Sequence, residues 1–282
     1  MGENAFEAKE REFCEFIVAE YLKYGSVDEV FRRNNYYLPI SFMGVHRLLD
    51  KWGIVKAAGP NSKLSEALTF LVLLNDERVP LERLYRSLPP SFKTSMATMH
   101  RILHHIKEDV VRRVGTALVI SGKEDRNQIL IGEDVSTPRI DLGKPFGSIS
   151  LPMTYSKVSE EPQESILRVL QQEVFSVNAI KRDISSEAVP ESPKPFMFLD
   201  IADVRVAVYH IPLEKSMIFS SFKLVDHRYM PASEIVHGAH NFRAGVREIA
   251  LGYSRYLKGE ERPLLAKSLI NLALSKLALA EA

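Results

Sequence analysis

The sequence predicts an α+β chain: an all-α first part, a mixed α/β second part and a closing helix. Three observations lead there. Up to about residue 107 the apolar residues recur at helical spacing. From residue 111 the run VRRVGTALVI turns to the β-branched character of a strand, and strand-like runs continue to about residue 226. The tail from Arg262 to Ala282 is rich in Ala and Leu, the mark of a helix that packs on the body or on a second subunit. The expected units are 1–110, 111–258 and 259–282, with the main boundary near Glu108–Val111.

A chain of 282 residues suits two domains. With 45% hydrophobic and 26% charged residues it has the balance of a soluble globular protein. The net charge of +1 gives no global nucleic-acid signal, so any such signal must be local. Cys14 is the single cysteine, which excludes an internal disulfide framework and a thiolate metal cage; its apolar neighbours Phe13, Phe16 and Ile17 favour a buried structural thiol. No apolar run approaches the roughly 18 residues needed to span a bilayer, and the acidic N-terminus lacks a signal peptide's apolar core. Phe6 stands where a myristoylation signal wants Ser or Thr. A cytoplasmic location is expected.

The first part opens with a long amphipathic helix, about Phe6 to Tyr24. Gly25 stops it and Ser26 can cap the next. A short helix over Val27–Asn35, a turn at Tyr36–Pro39 and a helix over Ser41–Lys51 follow, with Val27, Val30, Phe31, Val45, Leu48 and Leu49 spaced to share one core. This is helix-turn-helix spacing, in which the second helix enters the major groove and presents Ser41, Phe42, His46, Arg47 and Lys51. The exit Trp52–Val55 resembles that of a winged or resolvase-like helix-turn-helix.

A second pair follows. Pro80–Leu88 is a short helix broken by Pro89-Pro90, and Ser91 caps a helix to about Lys107. That helix turns Lys93, Thr94, Ser95, Thr98 and Arg101 outward, residue types that reach phosphates and base edges. Between Tyr21 and Lys107 thirteen Lys and Arg face seven Asp and Glu, a local +6. DNA is therefore the expected partner of this part, with dimerisation or protein docking on the same basic faces as the alternative.

The second part contains LPMTYSKVSEEPQESILRVLQQEVFSV from Leu151. Without gaps, this resembles the Nudix box, in which a glycine and a glutamate precede Arg-Glu-apolar-any-Glu-Glu-any-Gly. Thr154 takes the glycine position, Glu160 the first glutamate and Arg168 the arginine, eight residues on. Leu151-Pro152 matches the Leu-Pro that commonly precedes the glycines. Strands at Arg113–Ile120, Gln128–Ile131, Phe196–Leu199 and Arg205–Ile211, with a strand-then-helix at Phe222–Ile235, follow the order of that family's α/β/α sandwich.

The resemblance implies a pyrophosphate cleft. Family members place carboxylates at i, i+3 and i+4 of the box helix to gather Mg²⁺, which polarises a phosphoryl oxygen. Here those positions are Val169, Gln172 and Glu173, so one carboxylate of three remains. Glu160 and Arg168 match the ion pair that supports the loop-helix geometry. A degenerate box implies ligand binding without hydrolysis: no cofactor is expected, and Mg²⁺ only with residual hydrolase activity. Arg112, Arg113, Glu160, Arg168, Gln172 and Glu173 are the expected cleft residues.

With a helix-turn-helix in front, the chain resembles Nudix-related transcriptional regulators, with the domain order reversed. That implies a homodimeric DNA-binding protein sensing a nucleotide-like metabolite such as ADP-ribose. Two alternatives stay open: a non-catalytic interaction or scaffold protein, and an atypical hydrolase drawing metal ligands from elsewhere, such as Asp226 or Glu234.

Overall fold

A computed structural model describes residues 5–57, 113–157, 159–184, 188–201, 204–214, 216–260 and 263–268. Helix α1 (Ala5–Tyr24) ends at Gly25, whose φ of 71° suits a residue without a side chain. The Ser26 hydroxyl then accepts from Glu29 N at 3.4 Å and caps α2 (Val27–Arg33). Asn35 and Tyr36 both take positive φ in the turn, and the Ser41 hydroxyl accepts from Gly44 N at 3.0 Å to cap α3 (Phe42–Lys51). The expected inward residues Val27, Val30, Phe31, Val45, Leu48 and Leu49 are buried in one core, which Ile17, Val18 and Leu22 of α1 complete. Cys14 lies half-buried at its edge rather than inside it. Residues 54–57 leave α3 without regular structure, so among the described residues no wing strand follows it.

The second part is built on a mixed sheet. Its strands are β1 (Arg113–Gly122), β2 (Gln128–Asp134), β3 (Ser148–Ser150), β4 (Met153–Ser156), β5 (Met197–Ile201), β6 (Val204–Leu213), β7 (Leu224–Pro231) and β8 (Leu264–Lys267). The order is β3-β2-β1-β6-β5-β8, with β4 also pairing β1 and β7 pairing β2. The central pair is parallel, from Arg113↔Val204 to Gly122↔Leu213. Strand β1 is buried along almost its whole length, the reason its sequence reads as an unbroken apolar run rather than an alternation.

Helices cover both faces, giving three layers. On one face α4 (Pro162–Glu173) and α5 (Ser176–Lys181) set Ile166, Val169, Leu170 and Val174 against Leu118, Ile120 and Leu130. On the other, α6 (Ala232–His237) and α7 (Val246–Tyr256) set Ile235, Ile249 and Tyr253 against Val119, Ile131 and Val208. Gly245, at φ 95°, starts α7 where an added Cβ would stand 2.6 Å from Ile201 Cδ1. The helical first part docks on the α4–α5 layer, where Ala179 of α5 belongs to the α1–α3 core.

The segment from Leu151 to Ser156 holds β4, antiparallel to β1. The closing helix expected over 259–282 does not begin there: Leu264–Lys267 is a strand, parallel to β5 from Met197↔Leu264 to Asp200↔Lys267. Leu264 and Ala266 pack on the sheet core while Leu265 and Lys267 are exposed, a period of two. The unpaired edge of β5 outweighs the helical propensity of Leu and Ala. Residues 269–282 of the expected helix lie outside the described residues.

Candidate functional site

The box segment forms a strand, a loop and a helix. Pro162 occupies the first turn of α4, where its missing N–H costs nothing. Arg168, one and a half turns further on, is wholly buried and donates from Nη1 to Glu160 Oε2 at 2.6 Å. A second contact joins its Nη2 to Glu160 Oε1. The same guanidinium donates to the carbonyls of Tyr155 at 3.2 Å and Lys56 at 2.9 Å. Burial lowers the arginine pKa to about 10, still far above neutrality, so the pair is ionic. The loop is thus tied to the helix as the sequence implied, and both are tied to the chain leaving α3.

That second tie was not foreseen. Gln171, the next buried polar residue on α4, accepts from Val55 N at 2.8 Å and donates to Gly53 O at 2.8 Å. The Trp52 indole donates to Ile180 O at 2.9 Å, and Arg182 lies over the Trp52 ring at 3.8 Å while donating to Lys51 O at 3.2 Å. A groove of about 500 Å³ runs beside this joint, lined by Trp52, Leu167, Gln171, Ile184 and Val189 among others.

The three positions at which the resemblance implies metal ligands have separate fates. Val169 is fully buried in the apolar core between α4 and the sheet. The Gln172 side chain accepts from Lys223 Nζ at 2.8 Å through Oε1, while its buried Nε2 has no partner. Glu173 accepts from Met153 N at 3.2 Å. Burial, and then the charge of Asp134, push its carboxyl pKa up, against Lys223, Arg243 and Lys144. Its backbone carbonyl faces His227 Nε2 at 2.8 Å; a carbonyl only accepts, so that nitrogen carries the proton.

Asp134, at the end of β2, completes the cluster. Its Oδ2 lies 3.4 Å from Lys144 Nζ and 3.3 Å from Arg243 Nη1. The Lys144 amine also donates to the Ser136 hydroxyl. Burial lowers the basicity of both Lys144 and Lys223. Five separate segments therefore bring three cationic side chains and two carboxylates together at the end of the box helix.

These residues do not fit a divalent metal. Mg²⁺ requires a near-octahedral shell of oxygens, but Val169 offers none and Glu173 is engaged by a backbone amide among ammonium and guanidinium groups. Among the described residues no three His, Cys, Asp or Glu side chains come together to hold a metal. Of the replacement ligands considered, Glu234 pairs with His240 at 3.0 Å on the surface and Asp226 is exposed.

Other expected site residues divide. Arg113 leans on Tyr155, its Nη1 3.3 Å from that hydroxyl. On α3, Arg47 and Lys51 are exposed, His46 is half-buried, and Ser41 is exposed with its hydroxyl spent on the cap. Phe42 is exposed, its ring stacked on that of Phe31 at 4.7 Å. Arg112, Lys93, Thr94, Ser95, Thr98 and Arg101 lie outside the described residues. Asp134, Lys144, Gln171, Lys223 and Arg243 escaped the sequence reading because no motif or period links them.

No family model matches the chain, and no curated protein matches it. Among solved structures, it is similar to a Nudix hydrolase from Nitrosomonas europaea at 14% identity and a TM-score of 0.40, over 55% of this chain and 78% of that one. A MutT protein from Methanosarcina mazei aligns over 52% of this chain and 95% of its own at 14% identity and TM-score 0.38. The Nudix domain of Shewanella oneidensis NrtR, complexed with ADP ribose, aligns over 52% and 89% at 12% identity and TM-score 0.37.

Proposed function

We propose that this chain is a ligand-responsive DNA-binding regulator, with residues from 113 onward forming a Nudix-type domain that binds a nucleotide-like metabolite such as ADP-ribose without hydrolysing it. The observation that carries the proposal is the joint between α4 and the exit of α3. Gln171 bonds both Gly53 and Val55, and Arg168 bonds Lys56, so the box helix grips the chain that ends the helix expected to meet DNA. A ligand seated at Gln172 and Glu173 acts on the next residues of the same helix. In a homodimer, a small shift of α4 then changes the separation of the two α3 helices, which sets half-site spacing.

A mobility-shift assay tests the proposal. Duplex binding that weakens steeply with salt and changes with ADP-ribose is the expected result. No binding to any duplex at low salt would remove the DNA half. A second reading has its own observation: Tyr36, Tyr37 and Met43 are 68%, 88% and 62% exposed around the α2–α3 turn, a surface suited to a protein partner. Mg²⁺-dependent release of a mononucleotide from ADP-ribose would instead make the chain an atypical hydrolase.

A further inference from the structure

We infer that the groove between the exit of α3 and the α4–α5 layer binds a small molecule with an apolar body and one positive charge. Successive turns of α4 bring Glu164, Leu167 and Gln171 to one side of the helix, and that side forms one wall. Trp52 and Gly53, in the chain leaving α3, and Ile184 and Val189, beyond α5, form much of the rest. Among the described residues the lining includes none of Val169, Gln172 and Glu173. The site is therefore separate from those box positions, and its occupancy does not depend on DNA.

The space is of the right size: about 500 Å³ falls within the roughly 300–1,000 Å³ of small-molecule sites. Leu167, Ile184, Val189 and the Trp52 ring are only half-buried there, and covering them takes apolar surface out of water. The walls are also fixed in advance. Gln163 Nε2 donates to Glu191 O at 2.6 Å at one end, and the Trp52 indole donates to Ile180 O at 2.9 Å at the other. Gln171 holds Val55 N and Gly53 O between them. A preformed groove spares an occupant the cost of ordering its walls.

Charge selects the occupant. Among the described residues the ionised groups of the lining are Glu164 and Arg182. Arg182 is engaged: its guanidinium lies 3.8 Å over the Trp52 ring and donates to Lys51 O at 3.2 Å. Glu164 is exposed and, among the described residues, has no hydrogen bond or ion pair. It stands two turns of α4 before Gln171, about 10 Å along the helix axis. A cationic group thus meets an uncompensated carboxylate at one end while an apolar body extends towards Trp52 at the other. An anion would be repelled by Glu164 and would find the guanidinium already occupied.

Trp52 is the single tryptophan of the chain and lines the groove, so its fluorescence reports on the site directly. The full chain is titrated with phenylbutylamine and, separately, with phenylbutyrate, two probes of matched apolar body and opposite charge. A saturable change in Trp52 emission with the amine is expected, with affinity about tenfold weaker for the carboxylate. Glu164→Gln should weaken the amine about fivefold, the size of one partly exposed charge contact, and should not weaken the carboxylate. Leu167→Arg, which puts a charge into the groove, should abolish both responses, and Arg228→Gln, on an exposed residue, should alter neither. Glu164→Gln changes only a surface side chain, so it keeps the test sound should Leu167→Arg fail to fold. Equal affinity for the two probes, amine binding indifferent to Glu164→Gln, or no saturable response overturns the inference. Emission that changes with protein concentration alone, with a matching rise in sedimenting mass, would assign the groove to a second copy of the chain and would overturn it too.

Discussion

Arg168 Nε donates to the backbone carbonyl of Lys56 at 2.9 Å, across 112 residues of sequence. Through one guanidinium, the box helix, its preceding loop at Glu160 and the chain leaving α3 become one object. The arginine that braces the loop before α4 also braces the chain that leaves the first helical part.

Removing one partner should reveal that bracing. Glu160→Gln leaves the buried guanidinium without its anion, and a loss of about 3–5 kcal/mol in chemical denaturation is expected. Pairing it with Arg168→Met should recover part of the loss, because both charges then leave the interior. Equal stability of Glu160→Gln and the parent protein would show the pair to be dispensable.

Gln171→Ala removes two bonds to the chain at Gly53 and Val55. The expected cost is about 1–3 kcal/mol for backbone groups left unpaired. Hydrogen exchange should accelerate at Val55 while amides of β1 and β6 keep their protection. Acceleration spread evenly through the sheet would argue against a local joint.

Adding carboxylates at positions 169 and 172 should not create a metal site. Val169 is fully buried among apolar side chains, so Val169→Glu is expected to destabilise by more than about 3 kcal/mol. Gln172→Glu should pair with Lys223 instead. Neither variant, nor both together, is expected to release mononucleotide from ADP-ribose with Mg²⁺, measured by product chromatography.

His210 predicts a pH dependence. Its Nε2 lies 2.9 Å from the Ser121 hydroxyl and 3.0 Å from the Tyr253 hydroxyl; burial, then Arg126, hold its pKa down to about 4. The unfolded chain therefore takes up this proton first as pH falls from the ordinary value of 6.5. The contribution is fully present above that value and is lost as pH falls towards 4. It is on the order of 2 kcal/mol, discounted for the ring's partial solvation. His210→Gln should flatten the stability profile across this window.

Arg47→Ala and Lys51→Ala test the exposed side of α3. If each contacts one phosphate, the slope of log affinity against log salt should fall by about 1 per residue. Affinity should drop across all duplex sequences without loss of thermal stability. An unchanged slope in both variants would place the DNA contact elsewhere.

Much of the fold was legible because local chemistry and tertiary structure agree. Ser26 caps the helix it precedes, Gly25 ends α1, and the apolar residues of α2 and α3 fill one core, as expected; Ser41, expected to face DNA, spends its hydroxyl on capping α3. The Glu160–Arg168 step also kept its meaning, since an ion pair across a loop is set by a short stretch of chain. Leu264–Lys267 misled, because whether Leu and Ala form a helix or a strand there depends on a neighbouring strand's free edge.

By itself the sequence determined the spacing of α2 and α3, the central strands and the Glu160–Arg168 step. Only the tertiary structure decided what surrounds the end of α4. Asp134, Lys144, Lys223 and Arg243 come from loops and strand ends spread over more than a hundred residues, and no periodicity encodes their meeting. The same holds for Gln171 and Arg168 reaching Gly53, Val55 and Lys56. Such side-chain-to-backbone bonds depend on how layers dock, not on which residues stand nearby in the chain.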